Sequence, residues 1–179
     1  MRKMSFSKIA FVFAVPLLSC SMSMAQDSST TKVDKMFLHK SAQGSLAEIK
    51  LGKLALSKSH NHDVRQLAQK MIHDHTKIMQ NMRPLGSKMG LQPVTTLSAE
   101  DQLEERRLRG LSGDEFDRQY VSAMVADHQK DLAAFREEAG STGNPFLKKT
   151  VEEAGQVIQQ HAEIIDQLAR NNGISAPGH

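Results

Sequence analysis

VRQLAQKMIHDHTKIM, residues 64–79, lies over DRQYVSAMVADHQKDL, residues 117–132, at a constant offset. Arg, Gln, Met, Asp, His and Lys recur in register, so the chain contains an internal repeat. Two segments of one pattern predict two helices doing the same job in a single bundle. In the first copy, the residues three, four and seven away from His75 are Ala68, Met71, Ile72, Ile78, Met79 and Met82. A histidine alone on that apolar stripe points into a core. His73 shares its face with Gln66, Lys70 and Lys77 and belongs to the surface. Asp74 lies on the border between the two faces, within reach of Lys70 and Lys77. In the second copy, His128 shares its stripe with Val121, Met124, Val125, Leu132 and Phe135, and Asp131 is the one acid there.

Two more amphipathic helices flank the copies. Thr31 and Asp34 have capping-box spacing, which predicts a first helix from there to about Ser59. Glu48 sits among its apolar residues, with Gly44 and Gly52 one turn to either side. A mid-helix Gly costs about 1 kcal/mol relative to Ala. The pair therefore implies close approach by a neighbouring helix, or room for something the carboxylate holds. Asn61 is placed to cap the helix of the first copy, which is predicted to stop before Pro84. Residues 84–112 read as a long connection in which Ser98 caps a short charged helix. Ser112 to Glu115 reads as a second capping box, opening the helix of the second copy, which runs to about Ala139. Asn144-Pro145 opens the last helix, with Gly173 beyond its end. Its apolar face, Ala154, Val157, Ile158, Ile164, Ile165 and Leu168, carries a third inward histidine, His161.

The 179 residues suffice for one domain, and with no Trp the apolar content is carried by Leu, Ile, Val, Met and Ala, which suit helices. Arg2, Lys3 and Lys8 precede an apolar run from Ile9 to Leu18 that is too short to span a bilayer, the pattern of a secretory leader. Ser23-Met24-Ala25 before Gln26 fits ordinary signal-peptidase cleavage. Leu17-Leu18-Ser19-Cys20 fits a lipobox, with the single cysteine as the lipidated residue. The expected organisation is a leader over residues 1–25 (1–19 for a lipoprotein), a linker over 26–33, the bundle over 34–171 and a disordered tail over 172–179. The expected location is the periplasm or the outer membrane, with membrane attachment only through a lipidated Cys20. All of the charge excess comes from the leader, since 23 Lys plus Arg face 20 Asp plus Glu and three of the bases lie before Gln26. No basic stripe remains to suggest nucleic acid.

Four helices of about 25 residues, each about 37 Å long, predict an all-α four-helix bundle. Its two outer connections are short. The middle one is long enough to cross the bundle from end to end, as in ferritin-like folds. Glu48, His75, His128 and His161 lie at similar distances from their turns, so each helix offers one polar group to one central layer. Asp131 lies nearby, and Met71 and Met124 stand one turn from their histidines.

The Glu48 helix, Met71 to His75, Phe116-Asp117-Arg118-Gln119-Tyr120, Met124 to His128 and His161 together resemble an exported bacterial ferritin-like family, domain-of-unknown-function family 4142. Its members are often labelled predicted outer membrane proteins. The resemblance covers about Lys35 to Leu168 and implies a ferritin-like bundle outside the cytoplasm. It implies no established activity. The chain departs from di-iron members of the superfamily, whose helices carry Glu-x-x-His. Ile72 and Ile158 stand where those glutamates would be, so carboxylate-bridged di-iron chemistry is not expected.

Two readings of the inward residues stand side by side. In one, Glu48, His75, His128 and His161, with Asp131, hold a single transition metal ion, Cu, Zn, Fe or Mn. The nearby Met thioethers lean towards copper, and Asp74 and Asp127 orient histidines on neighbouring helices. In the other, the protein is a non-catalytic structural or envelope-interaction module, and the buried His/Asp network, with Tyr120, only specifies the bundle. No nucleophile elbow or phosphate-cradling loop is present to suggest an enzyme.

Overall fold

The Asn61 side chain accepts from the backbone N–H groups of Asp63 and Val64, and Asn144 does the same for Phe146 and Leu147. Ser98 accepts from the N–H of Asp101. These caps satisfy donors left open in the first helical turn. The computed structural model describes residues 23–174. Five helices follow in order: α1 Ser23–Lys58, α2 His62–Lys88, α3 Ala99–Arg109, α4 Gly113–Ser141 and α5 Pro145–Asn171, with no strand among the described residues. The expected leader as far as residue 22, Cys20 included, and the expected disordered tail from residue 175 lie outside them.

Two helix boundaries and one side-chain cap differ from the sequence reading. Helix α1 is already helical at Ser23, so Thr31 to Asp34 lies inside it and does not open it. Helix α2 runs past Pro84 to Lys88. A proline in the last turns removes one ladder bond, and the helix tolerates this. It ends where the Met89 N–H closes on the Leu85 and Gly86 carbonyls and Gly90 turns away at φ 81°. Ser112 precedes α4 but its side chain makes no capping bond. The chain enters α4 through Gly113 at φ 56°, a left-handed step that takes the hydroxyl out of the capping position.

Helix α1 packs on α2 and α4, and α5 packs on the same two. Along the α1–α4 seam, Gly44 faces Asp131 while Glu48 faces His128, so these helices run antiparallel. On the α2–α5 seam, Asp74 meets His161 while Asp63 and Asn171 line one groove nearer the end, so this pair is antiparallel too. Helices α2 and α4, which carry the two copies of the repeat, are therefore parallel and diagonally opposed. Residues 89–112 carry the chain back along the bundle between them, with α3 lying on α1 and α4. This is the all-α, ferritin-like four-helix arrangement with its long crossover.

Two apolar clusters fill the bundle. One gathers Leu51, Leu54, Leu67, Met71, Phe116, Tyr120, Met124 and Ile165, and the other Leu38, Ile78, Met82, Phe135, Leu147, Val151 and Ile158. Each large side chain so buried contributes about 1.5–3 kcal/mol. Residues 75, 128 and 161 fall between the clusters, so the histidines form a polar layer sandwiched by hydrocarbon. The two glycines of α1 have different causes. A Cβ on Gly52 would lie 2.9 Å from Ile72 Cγ1 and 3.0 Å from the Ala68 carbonyl, so Gly52 permits the close crossing of α1 and α2. A Cβ on Gly44 would meet only the Asp131 carboxylate, 3.9 Å away.

Candidate metal centre

His75, His128 and His161 are each at most 1% exposed. Their ring centroids lie 5.4–5.7 Å apart, with no Leu or Ile between them. One ring nitrogen of each falls within 4.8 Å of the other two. The outward nitrogens are held from outside the trio. His128 Nδ1 lies 3.0 Å from the Met124 carbonyl and 3.7 Å from Glu48 Oε1. His161 Nε2 lies 2.9 Å from Asp74 Oδ2, and His75 Nδ1 lies 3.4 Å from Ser45 Oγ. What remains to face inward is Nε2 of His75, Nε2 of His128 and Nδ1 of His161. His75 Nε2 is buried without a hydrogen-bond partner among the described residues.

The outer partners dictate the tautomers. A carbonyl oxygen can only accept, so His128 carries its proton on Nδ1 and keeps a lone pair on Nε2. An ionised carboxylate can only accept, so His161 carries its proton on Nε2 and keeps a lone pair on Nδ1. Those two lone pairs face each other at 3.4 Å with no hydrogen between them. Only an additional proton or a cation can reconcile the contact. Burial, together with the charge of the neighbouring imidazole, pushes His128 down to about 4, against the bond to Met124. Burial also lowers His161 against the pull of Asp74, and burial followed by the other two rings sets His75 well below its usual range. The extra proton is thus disfavoured near neutral pH. Two nitrogens each about 2.1 Å from a tetrahedral ion stand about 3.4 Å apart, which is the separation seen here.

These residues sit on the segments quoted at the outset, and the chain can be compared with known proteins through them. A family model described as "Domain of unknown function (DUF4142)" matches residues 19–168. The chain belongs to this family. No curated protein matches it. Among solved structures, the DUF4142 chain is similar to a crystal structure of a DUF305 fragment from Deinococcus radiodurans, at 17% identity and a TM-score of 0.69. That match covers 78% of this chain and 96% of the fragment, and at such identity it speaks to the fold alone.

The remaining residues singled out from sequence fall into place around the DUF4142 trio. Glu48 is buried at the level of the histidines, but it lies on the Nδ1 side of His128, away from the inward nitrogens. Asp131 lies against Gly44, away from the trio's inward nitrogens. Asp74 holds His161 from the neighbouring helix and is itself held by Lys70 at 2.9 Å. Burial pulls its carboxyl upward, but the bonds from His161 and Lys70 outweigh that and set it below the usual range. Asp127 touches no histidine and faces α3 instead, lining a cleft with Asp101 and Glu104. Met71 and Met124 are packed in the apolar cluster, and Met124 serves His128 through its carbonyl. Tyr120 makes no bond to a histidine, and its buried hydroxyl has no partner among the described residues. Sequence reading missed Ser45, which touches His75 and lines a groove of about 300 Å³ between α1 and α2 with Leu38, Met79 and Leu91. The signal was there: Asp34, Ser41, Ser45 and Glu48, spaced at seven, four and three, form a buried polar stripe on α1.

Proposed function

We propose that this is an exported protein that holds one transition metal ion through Nε2 of His75, Nε2 of His128 and Nδ1 of His161. The observation that carries the reading is the pair of lone pairs facing each other at 3.4 Å between His128 and His161. Met124 and Asp74 fix the tautomers that create this contact, and a cation resolves it without a buried imidazolium. The outer partners match the usual support of a histidine ligand, whose second nitrogen donates to a carboxylate or backbone carbonyl. Three imidazoles without a carboxylate suit Zn, Cu or Fe better than Mn. Glu48 acts on His128 from outside, which leaves a fourth position open as in sites that exchange or transform a ligand. Export rests on the basic-apolar-small pattern of residues 1–25.

The second reading, a buried network that only sets helix register, has the Asp74–His161–His128 chain of contacts in its favour. Metal analysis of mature protein purified without chelator or affinity-column metal separates the two. The expected result is one transition metal per chain, absent from a His75→Ala, His128→Ala double variant. No metal in the wild type, with marked destabilisation by each single histidine variant, would establish the network instead. The intact mass of the mature chain tests export: it should begin at Gln26 or at a lipidated Cys20, and a full-length cytoplasmic chain would sink the proposal.

A further inference from the structure

The groove that Ser45 lines encloses about 300 Å³ between α1 and α2. Sites for small organic ligands begin at about this size, and they are mostly apolar with a few placed polar groups. Ala42 and Ile49 of α1 and Met79 of α2 form two walls, and Leu91 and Val94 of the crossover form the third. The Leu91 N–H donates to the Gly86 carbonyl at 2.9 Å, which ties the third wall to α2. The hydroxyls deeper in the groove are already engaged. Ser41 donates to Met82 Sδ at 3.3 Å, Thr76 donates to the Ile72 carbonyl at 2.6 Å, and Ser45 Oγ lies 3.4 Å from His75 Nδ1. The depth of the groove therefore offers a guest hydrocarbon and thioether, and methionine side chains adapt readily to an irregular or flexible one.

The rim has a different character. None of the lining residues is acidic, and the ionisable ones are Arg83 and His39, both exposed. Neither side chain has a hydrogen bond or ion pair among the described residues. Arg107, Arg109 and Arg118 each hold a glutamate of their own helix, so Arg83 stands apart from them. An open guanidinium fork matches a carboxylate through two parallel N–H···O bonds. We propose that the groove binds an unbranched alkyl monocarboxylate, with its tail between the two helices and the crossover and its head on Arg83. The affinity comes from methylenes removed from water, and the guanidinium selects the sign of the head group. The site uses residues outside the imidazole trio and does not depend on a metal there.

Decanoate is the probe, and decyltrimethylammonium, with the same tail and the opposite charge, is its control. Each is titrated below its micelle concentration into the mature protein at pH 7.5 and followed by calorimetry. One decanoate should bind per chain, and the cationic amphiphile should bind about tenfold more weakly, the scale of one hydrogen bond to a charged group. Arg83→Glu, a change at an exposed position, should reverse that preference. Ala42→Phe, which fills the groove from α1, should abolish binding of both, with unchanged helical circular dichroism. No saturable binding of decanoate by the wild type would overturn the proposal, and so would equal binding of the two head groups. Decanoate binding undiminished in both variants would place the carboxylate elsewhere, on an ion at the imidazole centre for instance, and would overturn it too. Metal content is read separately on the same samples, so a failure of the imidazole centre is distinguishable from a failure of this site.

Discussion

Asp74 and Asp127 occupy the same position in the two copies of the repeat, one residue before an inward histidine, yet they have opposite electrostatic fates. Asp74 has Lys70 four residues before it and His161 across the seam, so its carboxyl is held below the usual range. Asp127 has Ala123 in the place of Lys70, and the acids Asp101 and Glu104 of α3 beside it where Asp74 meets His161. Burial, reinforced by the acids of α3 and opposed only by Lys130, pushes it up to about 6. Asp131 is carried to about 7 by burial and then by Asp127 and Asp101. A repeated backbone thus supports two different polar surroundings, because the residue one turn earlier and the groups on the facing helix decide whether an aspartate is neutralised by protein.

The sharpest way to break the comparison is to neutralise each aspartate and measure metal affinity at the imidazole centre by competition with a chromogenic chelator. Asp74→Asn should weaken binding about 10–100-fold, since it removes the group that fixes the His161 tautomer. Asp127→Asn should leave that affinity within about twofold; an equal loss in both would remove the distinction. The two seams of α1 differ in the same sense. Gly52→Ala should destabilise the protein by about 1–3 kcal/mol in urea unfolding, because its methyl meets Ile72 and a backbone carbonyl. Gly44→Ala, with only a carboxylate at ordinary contact distance, should be neutral or stabilising by up to about 1 kcal/mol.

The smallest effect is in pH dependence, measured as thermal midpoints in the presence of chelator. A carboxyl raised in the folded state favours folding while protonated, and that contribution is lost as pH rises through its folded value. Asp127→Asn should therefore gain on the wild type between about pH 4 and 6 and keep a constant advantage above that. Asp74, lowered in the folded state, has the opposite sign. Asp74→Asn should be the less stable protein at neutral pH, and the gap should close as pH falls below about 4.

Most of the frame was legible because it rests on periodicity and on side-chain caps. Asn61, Ser98 and Asn144 cap as their types dictate, and each inward histidine stood alone on an apolar stripe. What escaped was one cap and one helix end that depend on backbone conformation. Ser112 has the right side chain but is followed by a left-handed Gly113, and Pro84 sits near enough to a helix end to be tolerated. At the site, the level of Glu48 was readable from its distance to the turn, but which face of His128 it meets depends on a ring orientation set by the Met124 carbonyl. The different roles of Asp74 and Asp127 could not be read from either copy alone, since the deciding groups, His161 for one and the acids of α3 for the other, come from other helices. The approach of Asp34 to Glu138, which after burial is what raises Glu138 to about 7, escaped for the same reason.

The short connections between α1 and α2, and between α4 and α5, make each pair a hairpin that closes locally, with little loop entropy to overcome. The three histidines are divided between these hairpins: His75 belongs to the first, His128 and His161 to the second. An ion on all three nitrogens is therefore a clasp. Two of its bonds brace the second hairpin, and the third, to His75, ties the first hairpin to it, so removal of the ion would loosen that joint.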